Sequence, residues 1–183
     1  MGKLFAHFYT VECQLFKYVN QYFSQRHLNL FFRSITHLGG ARLTIATILL
    51  IILFTSDAVR LTAVASAIAL AISHIPVMIA KKLFPRKRPY LALPQINVTN
   101  NPLRDHSFPS GHTTAIFSVI IPFILFYPTL TIVLLPVAFA VGISRIYLGL
   151  HYPSDVMAGC LLGSLTGTLS YVFVAANFPL NFL

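Results

Sequence analysis

Long apolar segments fill most of the chain between residues 43 and 176, and they restrict the possible folds more than any other feature. The 183 residues are 56% hydrophobic and only 9% charged, whereas a soluble domain carries about 25% charged residues. Inside a bilayer every backbone N–H and C=O group must be hydrogen-bonded within the protein, so such segments cross as helices. The sequence therefore predicts an all-α polytopic membrane bundle that forms a single domain over residues 1–183.

The apolar segments predict about five transmembrane helices, with bounds at residues 43–55, 58–84, 112–127, 129–150 and 153–176. The first segment is short, because thirteen residues cover about 20 Å of a hydrocarbon core that is about 30 Å thick. Two stripes of small residues indicate faces for close helix packing. They consist of Ala63, Ala67 and Ala71, and of Gly159, Gly163 and Gly167.

The first forty residues have a different pattern. Apolar residues recur at helical spacing in 3–24 with Glu12, Lys17 and Gln21 between them, which predicts an amphipathic helix in the membrane interface. A packed helix and a poor span are the alternatives. Residues 27–38 predict a second short helix that ends at Gly39-Gly40. No cleavable signal pattern is present, so we expect the first true span to direct insertion.

Basic residues dominate the charge, which is +9 from 13 basic and 4 acidic residues. Seven basic residues lie in or beside two loops that five spans would place on one membrane face: Lys81, Lys82, Arg86, Lys87, Arg88, Arg104 and Arg145. This density fits a cytoplasmic positive-inside loop or a lipid-headgroup patch, and it equally fits an anion-binding mouth. The few acids and the widely separated Cys13 and Cys160 predict no metal site and no cofactor.

The first candidate functional motif is Lys81 followed, after six residues, by Arg88-Pro89. Basic residues after a span are common topology signals. The alternative is a pair of cations that grips phosphate oxygens, with a planar fork from Arg88 and a point charge from Lys81.

The second motif is Pro109-Ser110-Gly111-His112, which predicts a turn and a helix start. A helix start leaves backbone N–H groups unpaired and carries partial positive charge, so it suits an anion. Ser110 and Gly111 allow close approach of a ligand to the backbone, and His112 is able to exchange a proton near neutral pH. Alone, the motif is also an ordinary helix start.

The third motif is Ser144-Arg145, then His151 after five residues and Asp155 after three more. An arginine near a span end needs a partner. The spacing of His151 and Asp155 allows the carboxylate to hold one imidazole nitrogen and leave the other free. The alternative is a His–Asp pair that caps a helix. The nearby Tyr147 and Tyr152 are predicted to be interfacial anchors.

Together the three motifs resemble those of the type 2 phosphatidic acid phosphatase superfamily, which are Lys-x6-Arg-Pro, Pro-Ser-Gly-His and Ser-Arg-x5-His-x3-Asp. All three are present without substitution and in order between residues 81 and 155. The bacterial relatives that the chain resembles are phosphatidylglycerophosphatase B and the undecaprenyl diphosphate phosphatases. The resemblance implies that His151 is the nucleophile and forms phosphohistidine, that Asp155 orients it, and that His112 is the general acid and then the base.

The resemblance also implies that Lys81, Arg88 and Arg145 clamp the phosphate oxygens, assisted by Ser110 and the Gly111 backbone N–H. Phosphoryl transfer depends on positioning and charge stabilisation, which cations and a helix start supply without a metal. The implied activity is metal-independent hydrolysis of phosphatidylglycerophosphate, phosphatidate or undecaprenyl diphosphate. Gly111, where some undecaprenyl diphosphate phosphatases have Asp, slightly favours a glycerophospholipid.

Two other functions remain open at this stage, a non-catalytic lipid-phosphate binding or transport protein and a lipid phosphotransferase. The expected partners are the lipid substrate and the bilayer, without nucleic acid, and no oligomeric state is predicted.

Counts of Lys and Arg place the motifs on the cytoplasmic face, whereas the resemblance places them outside. The resemblance assigns Lys81, Arg88 and Arg145 to substrate binding, so they raise the basic count without reporting the orientation in the membrane. We therefore expect a multi-pass protein of the cell membrane with an extracytoplasmic active site.

Overall fold

The computed structural model describes residues 2–178, and these residues form eight α-helices and no strand. In chain order the helices are α1 (Gly2–Asn20), α2 (Arg26–Ile35), α3 (Ala41–Phe54), α4 (Asp57–Leu83), α5 (Pro89–Ala92), α6 (Gly111–Phe126), α7 (Thr131–Tyr147) and α8 (Pro153–Asn177). Short 3-10 turns lie at Gln21–Ser24, Thr36–Gly39 and Pro128–Leu130. The prediction of an all-α protein is confirmed.

Three helical segments are long and apolar enough to cross a membrane, namely Asp57–Leu83, Pro128–Tyr147 and Pro153–Asn177. A fourth crossing is formed if Arg26–Gly39 and Ala41–Phe54, which meet at a bend of 56°, act as one broken span. Helix α6 is apolar but has only 16 residues, or about 24 Å of helix. The predicted multi-pass character is confirmed, and the count of five spans stays a prediction.

Helix α1 lies against the end of the bundle that carries the motifs, and it also leaves a broad apolar surface exposed. Phe16 is fully buried, whereas Phe8 and Tyr18 are both 64% exposed. The Asn20 amide donates to the carbonyls of Asn97 and Tyr147 at 2.9 Å each. The helix is therefore packed on one side and free to contact lipid on the other, a combination that fits two of the predicted alternatives.

Helix α6 is the centre of the bundle and packs on α8, α4, α7 and α3. Its Ile116, Phe117 and Ile120 form one apolar cluster with residues of α7. Its opposite side, with Ala115 and Val119, packs on residues of α3 and α4. Contact with four other helices explains how α6, which is shorter than a typical transmembrane helix, is held in the bundle.

The glycine stripe of α8 packs directly on α6. A Cβ on Gly163 would lie 2.4 Å from the Thr114 carbonyl oxygen, and a Cβ on Gly159 would lie 2.7 Å from the Ser110 carbonyl oxygen. These glycines are therefore required for close approach, as predicted. The predicted alanine stripe of α4 is confirmed in part, because Ala63 is fully buried and Ala67 packs on the core, whereas Ala71 is exposed. The buried small residues of α4 are Thr62, Ala63, Ala65, Ser66, Ala69 and Ser73.

Candidate active site

The three motifs meet at one end of the bundle, where the end of α4, the start of α6 and the α7–α8 junction come together. The Ser110 amide donates to the Asp155 carbonyl oxygen at 3.0 Å and links the second motif to the third. An Arg88 guanidinium nitrogen, Nη1, donates to the Leu150 carbonyl oxygen at 2.8 Å and links the first motif to the third. The convergence expected from the sequence is therefore present.

A tight loop between α7 and α8 fixes the position of His151. Gly149 has a φ of +78°, and a Cβ there would lie 2.4 Å from the Asn97 carbonyl oxygen, so only glycine fits. The amides of Leu150 and His151 both donate to the Arg145 carbonyl oxygen, at 3.1 and 3.2 Å. The loop buries the imidazole almost completely, with 1% of His151 exposed.

The contacts of the His151 ring define its tautomer. Its Nε2 lies 3.1 Å from Arg88 Nη1, and a guanidinium only donates hydrogen bonds. Nε2 therefore carries the lone pair, and the proton is on Nδ1, which lies 3.7 Å from Asp155 Oδ2 without a hydrogen-bond partner. Catalytic hydrogen bonds are often this long before substrate binds.

Burial is the main cause of the low basicity of His151. Together with the charges of Arg145 and Arg88 it lowers the pKa of His151 to about 4, although the neighbouring Asp155 opposes the shift. At neutral pH the ring is therefore uncharged, and its Nε2 lone pair is available as a nucleophile.

Asp155 is fully buried and accepts three hydrogen bonds. They come from Ser107 Oγ at 2.6 Å, from the Tyr152 amide at 2.8 Å and from Arg86 Nη1 at 2.9 Å. The bond from Tyr152 caps the start of α8, so Asp155, but not His151, has the capping role that the sequence left open. The same carboxylate also lies beside His151, and the two roles coexist.

Arg86 connects Asp155 to the N-terminal helix. Its guanidinium forms ion pairs with both Asp155 and Glu12, and it donates to Ser154 Oγ at 2.8 Å. Its Cζ also lies 3.9 Å from the ring centroid of Tyr152. The sequence placed Arg86 in a basic cluster and assigned it no individual role, because nothing local indicates a partner 74 residues away.

Asp105 binds the two cations of the first motif. Its carboxylate accepts from Lys81 Nζ at 2.7 Å and from Arg88 Nη2 at 2.6 Å. Burial favours a higher pKa for this carboxyl, but the hydrogen bond from Lys81 and the charge of Arg88 outweigh it and lower the pKa of Asp105 to about 2. A carboxylate thus lies where the resemblance places phosphate oxygens.

Arg145 lacks an acidic partner. Only 3% of the residue is exposed, its Nη1 donates to Thr36 Oγ1 at 2.7 Å, and its Nε is buried without a hydrogen-bond partner. It forms no ion pair within residues 2–178. Burial of an unneutralised guanidinium is costly, and an anion on this group would offset that cost.

Arg145 lines a cavity of about 300 Å³ at the end of the bundle. The polar side chains around it are Arg33, Thr36, His37, Thr99, Asn101, His112 and Arg145. His112 lies within electrostatic range of His151, Arg145 and Arg88. The two predicted catalytic histidines therefore share one site on one side of the bundle.

The start of α6 presents its backbone toward open space. Ser110 is fully buried, and its hydroxyl accepts from the Thr113 amide at 3.5 Å, so it caps the helix; it also accepts from Thr113 Oγ1 at 2.9 Å. A Cβ on Gly111 would meet nothing within 4 Å. A Cβ on Gly39, by contrast, would lie 2.6 Å from the His112 carbonyl oxygen, so this glycine allows the Thr36–Gly39 turn to pack on His112.

The prediction for two tyrosines is wrong. Tyr147 and Tyr152 are each 1% exposed, so neither anchors the protein in the interface. Tyr147 Oη donates to the Tyr22 carbonyl oxygen at 2.8 Å, and Tyr152 packs under Arg86.

Within the described part of the chain, no group of three His, Cys, Asp or Glu side chains is arranged to hold a metal.

The fold and the site define a helical membrane protein in which two histidines and several cations lie at one end of the bundle, beside a polar cavity. Residues 61–179 match the family described as the PAP2 superfamily, and the chain belongs to this family. The match includes all three motifs and leaves out α1, α2 and α3.

The similar proteins are bacterial and archaeal. The chain is 41% identical over 120 residues to the bacitracin transport permease protein BcrC of Bacillus licheniformis, covering 66% of this chain and 57% of that protein. It is 40% identical over 67 residues to an undecaprenyl-diphosphatase of Sulfolobus acidocaldarius, covering 36% of this chain and 32% of that protein. The chain thus aligns with about half, or less, of the length of these relatives.

Two solved structures share the fold. LpxE of Aquifex aeolicus superposes with a TM-score of 0.76 at 28% identity, over 86% of this chain and 92% of that one. A transmembrane PAP2-type phosphatidylglycerolphosphate phosphatase of Bacillus subtilis superposes with a TM-score of 0.77 at 25% identity, over 96% of this chain and 90% of that one.

Substitution of Arg86 tests whether this residue positions the Asp155 carboxylate. We expect Arg86→Gln to lower kcat about 10- to 100-fold with little change in KM, because hydrogen bonds to charged groups contribute about 1.5–3 kcal/mol. Arg86→Lys should recover part of the loss. The matched control is Lys87→Gln, at an exposed neighbouring position. Steady-state kinetics on a short-chain lipid phosphate would refute the role if both glutamine variants behaved alike.

The pH dependence of kcat/KM tests the protonation state of His151. Because burial lowers the pKa of His151 to about 4, its imidazole should stay unprotonated well below the ordinary histidine value of about 6.5. We expect kcat/KM, corrected for the phosphate ionisation measured by 31P NMR, to show no decline centred near pH 6.5 as pH falls from 7, and to decline only near pH 4–5, where His151 becomes protonated. A decline centred near 6.5 would contradict the burial described above.

Proposed function

We propose that the chain is a membrane enzyme that hydrolyses a lipid phosphate or diphosphate through a phosphohistidine on His151. The observation that carries the proposal is the placement of this buried ring, whose Nε2 lies 3.1 Å from Arg88 Nη1 and whose Nδ1 lies 3.7 Å from Asp155 Oδ2. The nearby Arg145 has an unpaired Nε and lines the cavity. A nucleophile that contacts Arg88 and lies near the unneutralised Arg145 suits attack on a phosphorus atom.

The proposed reaction has two transfers. His151 Nε2 forms a bond to phosphorus while the bond from phosphorus to the leaving oxygen breaks, and His112 gives that oxygen a proton. His112 then takes a proton from a water molecule, the water oxygen bonds to phosphorus, and the phosphorus–nitrogen bond breaks to release phosphate. Lys81, Arg88 and Arg145 stabilise the charge on the phosphate oxygens, with Ser110 and the Gly111 N–H beside them, and Asp105 gives up its two cations when the substrate binds.

The partners of the acidic residues support a mechanism without a metal. Glu12, Asp105 and Asp155 each form an ion pair with Lys or Arg. Asp57, the fourth acid in the sequence, accepts from Ser56 at the far end of α4. A divalent cation needs several oxygen ligands, and these carboxylates are separate from one another and already bound.

An apolar groove beside the site supports a lipid substrate. It has a volume of about 330 Å³ and runs between α3, α6 and α7. Leu38 lines the groove, and its neighbour His37 lines the polar cavity. A lipid tail in the groove would place its phosphate at the cavity. The solved relative from Bacillus subtilis is described as a phosphatase of a phospholipid, and phosphatidylglycerophosphate, phosphatidate and undecaprenyl diphosphate are the proposed substrates.

A lipid-phosphate binding or transport protein is the second candidate. It is favoured by the name of the Bacillus licheniformis relative, which is a transport permease protein. Such a protein needs the cations and has no need of a nucleophile. The role of His151 therefore separates the two candidates.

Replacement of the nucleophile tests the catalytic proposal. Purified protein in detergent with EDTA should release phosphate from short-chain lipid phosphates, and His151→Ala should lower this rate at least about 10³-fold. His106→Ala, at an exposed histidine, is the matched control. A substrate labelled with 32P should leave base-stable, acid-labile label on wild-type protein only. Equal phosphate release by both variants, at the wild-type rate, would remove His151 as the nucleophile. No release by the wild-type protein would favour the binding protein, and inhibition by EDTA would contradict a metal-independent reaction. Transfer of the label to an added lipid alcohol would indicate a phosphotransferase.

We also propose that the active site faces the outside of the cell membrane. The three cations of the motifs are explained by Asp105 and by the proposed substrate, so they carry little topology information. In a cysteine-free background with Cys13 and Cys160 replaced by Ser, Asn100→Cys should react with a membrane-impermeant maleimide in intact cells. Ser56→Cys, exposed at the other end of α4, should react only after permeabilisation. The reverse pattern would place the active site in the cytoplasm.

A further inference from the structure

Two basic side chains of the cavity belong to none of the three motifs. Arg33 is on α2, and His37 is in the Thr36–Gly39 turn. Arg33 is half-buried, its Nε is buried without a hydrogen-bond partner, and it forms no ion pair within residues 2–178. Its guanidinium lies 5.8 Å from the ring centroid of Phe23. The side chain is thus placed by aromatic packing while its polar atoms lack a protein partner.

The Thr36–Gly39 turn places these residues on the His112 side of the site. Gly40 lies between the His37 backbone and the His112 ring. A Cβ added to Gly40 would be 3.1 Å from the His37 carbonyl oxygen and 3.7 Å from His112 Nε2. Thr36 Oγ1 accepts from Arg145. His112 and His37 are also within electrostatic range of each other. The group that receives the His112 proton would therefore lie next to His37 and Arg33.

The charge of the leaving group decides what such a pocket would bind. When a phosphate monoester is cleaved, the leaving group is an alcohol and has no use for two additional basic groups. When a diphosphate is cleaved, the leaving group is itself a phosphate, and its oxygens suit the planar fork of an arginine. An arginine left without partners in a half-buried wall is costly unless a ligand supplies acceptors.

We propose that Arg33 and His37 form a subsite for the leaving phosphate, and that the substrate is a lipid diphosphate. This inference rests on the proposed function. His151 bonds to the terminal phosphorus, the bond from that phosphorus to the bridging oxygen breaks, and His112 protonates the bridging oxygen. The lipid monophosphate leaves from Arg33 and His37, and water then releases the terminal phosphate from His151. This substrate class differs from the glycerophospholipid that Gly111 slightly favours.

The test compares farnesyl diphosphate with farnesyl phosphate, because the two share one tail. The wild-type protein should have the higher kcat/KM on the diphosphate. Arg33→Gln should lower kcat/KM on the diphosphate about 10- to 100-fold, as expected for loss of charge-assisted hydrogen bonds, and should change the value on the monophosphate less than about threefold. His37→Gln should act in the same direction. Arg26→Gln, on the exposed first turn of α2, should change neither value.

Retained hydrolysis of farnesyl phosphate shows that the Arg33→Gln protein is folded. Equal losses on both substrates, or no loss on the diphosphate, would overturn the inference and leave the proposed function intact. A larger loss on phosphatidylglycerophosphate than on farnesyl diphosphate would also overturn it, because Arg33 would then bind the more distant phosphodiester. Failure of the wild-type protein to hydrolyse either farnesyl compound, with the phosphohistidine label absent, would instead refute the proposed function.

Discussion

Buried positive charge is the constraint on which the site depends. Arg88 and Arg145 are 1% and 3% exposed, at the boundary of a bilayer where an unpaired charge costs several kcal/mol. The chain has only four acids, and Asp105 alone neutralises both Lys81 and Arg88. Arg145 has no such partner. The site is therefore short of negative charge, and a phosphate is the kind of ligand that would correct the deficit.

Close helix packing makes this concentration of charge possible. The glycines of α8 allow the start of α6 to approach within backbone contact, and the Ser110 amide then reaches the Asp155 carbonyl oxygen at 3.0 Å. Gly39 similarly allows the Thr36–Gly39 turn to pack on His112. A Cβ at either place would displace a histidine-bearing segment. Stability and site geometry consequently rest on the same small residues.

The sequence predicted the features that depend on local pattern. Hydropathy predicted the helices, and the three motifs predicted which side chains would meet. It missed pairings made across long separations, such as Arg86 with Glu12, because a residue type does not reveal a partner on another element. Its errors have a similar cause. The alanine stripe of α4 is packed at Ala63 and Ala67, but the core does not extend to Ala71. Tyr147 and Tyr152 look interfacial in the sequence, but residues of the N-terminal helices cover both rings.

The N-terminal helices complete a site whose chemistry lies elsewhere in the chain. Residues 61–179, which match the family, contain all three motifs. Glu12, Arg33, Thr36 and His37 lie outside that match, yet Glu12 pairs with Arg86, and the other three line the cavity. In the proposed mechanism the motif residues transfer the phosphoryl group, so they would have little freedom to select what is attached to it. Residues that contact only the leaving group could vary more freely, because a substitution there would change which lipid is recognised and would leave His151 in place. In the proposed mechanism, Arg33 and His37 are therefore the residues that would select among lipid substrates.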